Sequence, residues 1–300
     1  MPAADLDRAR AFVLAAARLL DRHRFALRFD GGDPEAVAAA LRPYANPDGG
    51  FGHALEPDLR GPDSQPEPTR HALAVLLDDL GRPDDPAVAR ACDFLAAASA
   101  PEGGVPFVLP SARAYPHAPW WQPADDPPPG LTTTGALAGL LLRHGIEHPW
   151  VPGATAFCWS AIEALEGSSP YELRGILEFL EHAPDRDRAA RALDRVAPFV
   201  AEHVTLDPAE REGERHRPLD FAPHPGAPGR ALFDDATIEA NLDALAAAQR
   251  DDGGWTFDWP AWAPATEPEW RGWVTIRALE TLAAYGRPPA AAERGAAASP

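Results

Sequence analysis

The 300-residue chain, 45% hydrophobic, is large enough to bury a full core and long enough for one large domain or two small ones. Its formal net charge of −18 excludes the basic patches that nucleic acid or an anionic membrane surface requires, so neither is expected as a partner. All 27 basic residues are arginines, a bias of the kind a G+C-rich bacterial genome imposes, and without lysine neither a Schiff base nor a P-loop can be built.

At the N-terminus, MPAADLDRARAFVLAAARLLDRH predicts a first helix carrying Phe12, Val13, Leu19 and Leu20 on its apolar side. Arginines interrupt it too often for a signal peptide, and nowhere do about 18 apolar residues run together, so no membrane insertion is expected. Cys92 and Cys158 lie far apart within apolar helical stretches, which suits buried thiols in a reducing cytoplasm better than a disulfide framework.

Further along, an acid, a glycine pair and an apolar residue recur as Asp48-Gly49-Gly50-Phe51, Glu102-Gly103-Gly104-Val105 and Asp252-Gly253-Gly254-Trp255. The second gap between copies is close to three times the first, as if two intervening units had lost the signature. A helical pattern precedes each turn: DPEAVAAALRPYA, DDPAVARACDFLAAAS and DDATIEANLDALAAAQ. A shared string follows each: TRHAL from Thr69, TTGAL from Thr133 and TIRAL from Thr275. These strings open further helices with i, i+3, i+4 apolar spacing, such as Leu73, Leu76 and Leu77, which end at Gly81, Gly145 and Gly286. A valine at Gly50 or Gly254 is expected to destabilise if that glycine takes positive φ.

The middle of the chain keeps amphipathic helices without the turns: GATAFCWSAIEALEG, PYELRGILEFLEHA and RDRAARALDRVAPFVAEHV. No run of alternating β-branched residues appears, so strands are at most short hairpins in loops and the class is all-α. An open superhelix would want polar caps, yet the terminal helices are apolar, so a closed α/α toroid of helix-pair units with long Pro- and Trp-rich loops is expected. It forms a single domain over 1–288, with 206–230 a long surface loop that could cover a cavity and 289–300 a disordered tail.

These units resemble the prenyltransferase and squalene-cyclase (terpenoid cyclase) repeat, in which a helix bearing an aromatic leads to Gln, then Gly, then Trp. LAAAQRDDGGW supplies Gln249, Gly253 and Trp255, while RACDFLAAASAPEGGV keeps the layout but has Ser99 and Val105 in place of Gln and Trp. The resemblance implies an α/α toroid around an apolar cavity that holds an isoprenoid or other lipid-like molecule. It does not bring the chemistry with it. The Asp-x-Asp-Asp acid of class II terpene cyclases is missing, and neither cysteine has the preceding Asp of a prenyltransferase zinc site. No metal and no cofactor is expected. Asp234, Asp235 and Glu239 resemble the Asp-rich magnesium motif of ionising terpene synthases, although acids at a helix start are accounted for by capping.

The candidate site is therefore read from the residues themselves. Residues 46–69 combine Gly, Pro and many hydrogen-bonding side chains, among them Phe51, His53, Glu56, Asp58, Arg60 and Gln65. In a toroid such joints crowd one rim of the cavity, where Glu56 or Asp58 is a proton donor if burial raises its pKa; the alternative is that the acids merely lock the turn. A metal at His53, Glu56 and Asp58 is chemically adequate but matches no established spacing. Trp120, Trp121, Trp255, Trp259, Trp262 and Trp270 are candidates to line the cavity and stabilise a cation, although for Trp255 the repeat favours packing. Asp258, between Phe257 and Trp259, is the alternative acid, and a surface position is equally open to it. The expected function is a terpene-cyclase-like toroid that binds an apolar molecule and isomerises or cyclises it by acid catalysis. The alternatives are a non-catalytic binding or scaffold toroid and a carbohydrate-active α/α barrel.

Overall fold

The computed structural model describes residues 3–290. They form twelve α-helices: α1 (Leu6–Ala16), α2 (Leu19–Phe29), α3 (Pro34–Leu41), α4 (Pro66–Ala74), α5 (Pro86–Ala98) and α6 (Leu131–Arg143), then α7 (Trp150–Glu163), α8 (Pro170–His182), α9 (Arg186–His203), α10 (Pro218–Phe221), α11 (Asp235–Ala247) and α12 (Thr266–Ala284). Among the described residues β pairing is limited to isolated bridges, such as Phe51 with Ala45 and with Gln65.

The even-numbered helices pack on one another in sequence. α2 meets α12 and the π turn that extends α4, α4 meets α6, α6 meets α8, and α8 meets α10. They make an inner ring, with the odd-numbered helices outside. The outer helices start on local signals: Asp33, Asp85 and Asp234 each accept a backbone N–H of the first turn, and proline opens α3 and α5.

The repeated turns are the same object three times. In each, the first glycine has positive φ: 91° at Gly49, 95° at Gly103 and 94° at Gly253. The next apolar residue donates its backbone N–H to a threonine hydroxyl in the following inner helix: Phe51 to Thr69, Val105 to Thr134 and Trp255 to Thr275, at 3.0, 2.9 and 3.0 Å. Each donor is buried, so losing its hydroxyl partner would cost about 1–3 kcal/mol. Asp48 and Asp252 accept the N–H of the second glycine in their own turns.

Each turn also presses on the next outer helix of the ring. A Cβ on Gly49 would lie 2.3 Å from the Arg90 carbonyl oxygen, and one on Gly50 2.8 Å from Phe94. One on Gly103 would meet the Gly153 backbone at 2.6 Å, and one on Gly104 would meet Phe157 at 2.7 Å. At the last turn the partners are Arg8, 2.1 Å from a Cβ on Gly253, and Phe12, 2.6 Å from one on Gly254. The final turn thus treats α1 as the next helix in the series, and that closes the ring. Gln249 seals the closure from its side chain, accepting from the Asp5 N–H at 2.7 Å and donating to the carbonyls of Asp5 and Gly253.

Several expectations are corrected. The N-terminal pattern is two helices, broken at Ala17 and Arg18, with Leu19 62% exposed. No Gly or Pro marks the break because Arg18 is simply extended (φ −60°, ψ 155°), which any residue adopts; its guanidinium is held by Asp21 and by the Leu55 carbonyl. The repeat threonine in α6 is Thr134, one residue past the string match, while Thr133 donates to Glu67 instead. Positive φ belongs to the first glycine of each pair, so Gly50 and Gly254 are fixed by the side chains they touch. The surface loop at 206–230 contains α10, and Leu219, Phe221 and Ala227 within it are buried. Of the 289–300 tail, all but Pro289 and Ala290 lies outside the described residues; Ala290 accepts the Leu6 N–H at 2.9 Å.

Candidate active site

Between the inner helices, at the end where the loops enter them, lies a cavity of about 600 Å³, inside the range of roughly 300–1,000 Å³ usual for small-molecule sites. α4, α6 and α8 face it with their first turns, through Glu67, Arg70 and His71, through Thr132, and through Ser169, Tyr171 and Arg174. α12 runs along one wall from Trp270 to Thr281. Loops complete it with Phe107, Trp120 and Trp121, with Glu214, and with Trp259 and Pro260.

The segment after the first Gly-Gly turn brings in the acids. His53 and Ala54 both hold positive φ, 55° and 62°, a conformation that costs non-glycine residues about 1–3 kcal/mol each and persists only where the surroundings enforce it. Asn46 grips the His53 imidazole at 3.0 Å, and the Arg18 guanidinium donates to the Leu55 carbonyl at 2.8 Å. The chain therefore turns inward, leaving Leu55, Glu56, Asp58 and Leu59 buried.

Glu56 is 2% exposed, and burial, followed by the nearby charges of Asp58 and Glu67, raises its pKa well above the usual carboxylate range. Both effects favour its protonated form. Its Oε2 lies 3.5 Å from His71 Nε2. That imidazole is pushed down to about 3 by burial and then by the Arg70 charge, and is neutral. Asp58 is also raised by burial, but it is opposed by indole N–H groups: Trp270 donates to Oδ1 at 3.1 Å and Trp120 to Oδ2 at 3.2 Å. Trp262 and Trp121 favour its charge as well, although Trp262 Nε1 has no hydrogen-bond partner of its own. The outcome is two buried carboxyl groups on one strand of chain, both raised by burial, of which only Asp58 is opposed by a set of indole N–H donors. Glu67 is held below the usual range against its burial by Arg70, His71 and Thr133.

The wall beyond is aromatic. Trp270 meets Trp259 edge to face at 5.3 Å between centroids and Trp273 at 5.7 Å, and Trp273 stacks with His71 at 6.3 Å. Phe107 stacks on Trp121 at 4.1 Å.

Of the candidate residues, Glu56, Asp58, Trp120, Trp121, Trp259 and Trp270 come together on this cavity. The others are placed elsewhere. Phe51 is core, Trp255 is buried with its indole donating to the Leu245 carbonyl, and His53 serves the turn. Arg60 pairs with Glu269, and Gln65 bonds Ser111 and the Leu109 N–H; both face only a crevice beside the cavity. Trp262 backs Trp121. Asp258 is ion-paired with Arg215 outside the cavity lining. Asp234 caps α11, while Asp235 and Glu239 pair with Arg230 and Arg287. Cys92 and Cys158 are buried free thiols, both pushed up by burial, Cys92 to about 12.

Glu67, Arg70, His71, Arg174 and Arg277 line the cavity without having been singled out from sequence. A signal existed for two of them. His71 and Arg277 each stand two places after the repeat threonine, in TRHAL and TIRAL, polar residues on a face otherwise apolar.

No protein-family model matches the sequence, and no curated protein matches it. Solved structures do resemble it. A protein from Actinoplanes aligns over 94% of this chain and 89% of its own, with a TM-score of 0.58 and 20% identity. A variant of the type II terpene cyclase MstE from Scytonema aligns over 93% of this chain and 86% of its own, with a TM-score of 0.54 and 14% identity. Another variant of that cyclase, solved with its substrate geranylgeranyl dihydroxybenzoate, covers 83% of this chain and 79% of its own, with a TM-score of 0.51 and 15% identity. The chain therefore has the terpenoid-cyclase-like all-α toroid fold. Among the described residues no helix is long and apolar enough to cross a membrane, and no group of three or more His, Cys, Asp or Glu is placed to hold a metal ion.

Proposed function

We propose that this protein isomerises or cyclises an isoprenoid by protonating a carbon–carbon double bond, with Glu56 as the acid. The observation that carries the reading is a buried carboxyl group, its protonated form favoured by burial, at the wall of an aromatic cavity. The π electrons of the alkene take the Glu56 proton to form a C–H bond, leaving a tertiary cation and a glutamate carboxylate. The faces of Trp270, Trp259 and Trp273 and the fixed carboxylate of Asp58 lie where they can stabilise that cation. Attack by a second double bond closes a ring; loss of a proton from an adjacent carbon, back to Glu56, restores the enzyme.

Neutral His71 lies beside Glu56 without competing for its proton. The largely apolar walls of the cavity speak against a carbohydrate, and its volume against a purely structural ring.

The test is turnover. Offered a panel of prenyl alcohols, acids and phosphates, the wild type is expected to yield an isomer or a cyclic product. Glu56→Gln is expected to keep the fold and the binding of an apolar fluorescent probe while turnover falls by about 10²–10⁴-fold. Full activity in Glu56→Gln, with loss in Asp58→Asn, would move the acid to Asp58. Probe binding without conversion of any member of the panel would leave a binding toroid.

A further inference from the structure

The cavity holds a pair of cations that its own walls do not neutralise. Arg174 on α8 and Arg277 on α12 both line it. The guanidinium of Arg277 lies 4.7 Å from the centroid of Trp273, and that of Arg174 lies 5.7 Å from the centroid of Tyr171; among the described residues neither has an ion-pair or hydrogen-bond partner. Burial and then the Arg174 charge lower the pKa of Arg277, which is the signature of a cation missing its counter-ion.

This is not the rule elsewhere in the molecule. The buried arginines Arg18, Arg24 and Arg70 are matched by Asp21, Asp79 and Glu67. Nor are acids scarce, since 45 of them face 27 basic residues. Of the acids whose charge reaches Arg277, Glu178 is exposed, lies outside the cavity lining and forms no ion pair with it, Asp220 accepts the Arg217 N–H, and Glu280 pairs with Arg28; Glu214, on the cavity wall, accepts from the Tyr171 hydroxyl. A protein of this charge that leaves two partly buried guanidinium groups open toward a cavity has left room for an anion to complete the set.

We infer that the isoprenoid enters with an anionic head group, a carboxylate or a phosphate, held between Arg174 and Arg277, while its tail reaches the acids at the far end of the wall. The inference rests on the reading of this cavity as an isoprenoid site. α12 supplies the spacing: Arg277 lies seven residues after Trp270, the residue bonded to Asp58, so the head site and the acid site are separated by roughly 10 Å along the helix axis. Trp273, between them, touches both Trp270 and Arg277. The double bond nearest the acids is therefore remote from the head, and the anion is an anchor, not a leaving group. Planar guanidinium forks suit either a carboxylate or a phosphate.

The experiment is binding by calorimetry of three ligands of equal prenyl chain length: the alcohol, the carboxylic acid and the monophosphate. The wild type is expected to bind at least one of the anions 10-fold or more tighter than the alcohol, and whichever is tighter names the head group. Arg277→Met and Arg174→Met are each expected to bring the affinity for the anion down to that of the alcohol, with partial retention in Arg277→Lys. The thermal midpoint of Arg277→Met is expected to be equal to or above that of the wild type, because an uncompensated charge has been removed. Equal affinity of the wild type for all three ligands, or a preference for anions that survives both methionine substitutions, overturns the inference. Glu56→Gln separates the two ideas: the preference for anions persists in it even if no ligand is ever converted, whereas conversion without that preference leaves the acid and removes the head site.

Discussion

At the Gly-Gly joints the buried polar groups are matched within the repeat, N–H to threonine hydroxyl and glycine N–H to aspartate. Around the cavity the same ring carries Glu56, whose protonated form burial favours, a neutral His71 and the open cations Arg174 and Arg277. The joints repeat, and their residues are chosen for fit. The cavity end does not repeat, and its residues stand in environments that disfavour their ordinary charge states. Stability and chemistry are thus assigned to different parts of each unit: the turn and the hydroxyl below it hold the ring, and the first turns of the inner helices and their loops furnish the site.

The sharpest way to break this division is Gly253→Val. The variant puts a β-branched residue at φ 94° with its Cβ against the Arg8 carbonyl, and a loss of roughly 3 kcal/mol or more is expected from strain and overlap together. Chemical denaturation measures it. A change below about 1 kcal/mol would mean that the joint relaxes freely, as ordinary turns do.

Thr275→Val sharpens the comparison. The side chain is nearly isosteric, the apolar packing stays, and only the acceptor for the buried Trp255 N–H is lost. A loss of about 1–3 kcal/mol is expected, independent of pH. The cavity side should behave oppositely with pH. Because the folded state holds His71 down at about 3, against about 6.5 in the unfolded chain, the unfolded chain takes up the proton first. That contribution to stability is fully present above about pH 6.5 and is lost as pH falls toward 3. Glu56 works the other way: its stabilisation is present below the usual carboxylate range and is lost as pH rises through its raised pKa. The two contributions oppose each other as pH falls, so the expected outcome is a difference: from pH 7 to about pH 4 the thermal midpoint of the wild type falls relative to that of His71→Gln, while Thr275→Val shifts the whole curve downward in parallel. Parallel curves for all three proteins would mean that His71 is not held neutral by the fold.

The ring was legible because it is built from local rules that repeat. A glycine pair, a capping acid and a threonine at the head of a helix are each visible in a short window, and their recurrence at Gly49, Gly103 and Gly253 gave the period. The two units without the turn, α7 with α8 and α9 with α10, were legible only as helices. The break at Ala17 and Arg18 left no mark, since it is set by bonds from Arg18 to Asp21 and Leu55 rather than by a residue that stops helices. The site was half legible. Glu56 and Asp58 stand in a loop too rich in chemistry to be mere connection, and the tryptophans announce a wall. His71, Arg174 and Arg277, by contrast, lie inside helices whose apolar faces read as core. What sets them apart is a cavity formed by chain segments far apart in sequence.

The closure through Gln249, Gly253 and Gly254 onto α1 has a consequence for synthesis on the ribosome. The face of α1 that carries Phe12 is translated long before its partner turn, Asp5 and Gln249 lying 244 residues apart. Until residues 249–255 have emerged, the growing chain is an open strip with an apolar edge along α1, and such edges recruit neighbours. The first two Gly-Gly joints dock on a helix that follows them in the chain, while this third one docks on a helix made long before. Closure of the ring therefore waits for residues 249–255, and truncation before them leaves the Phe12 face of α1 without its partner turn.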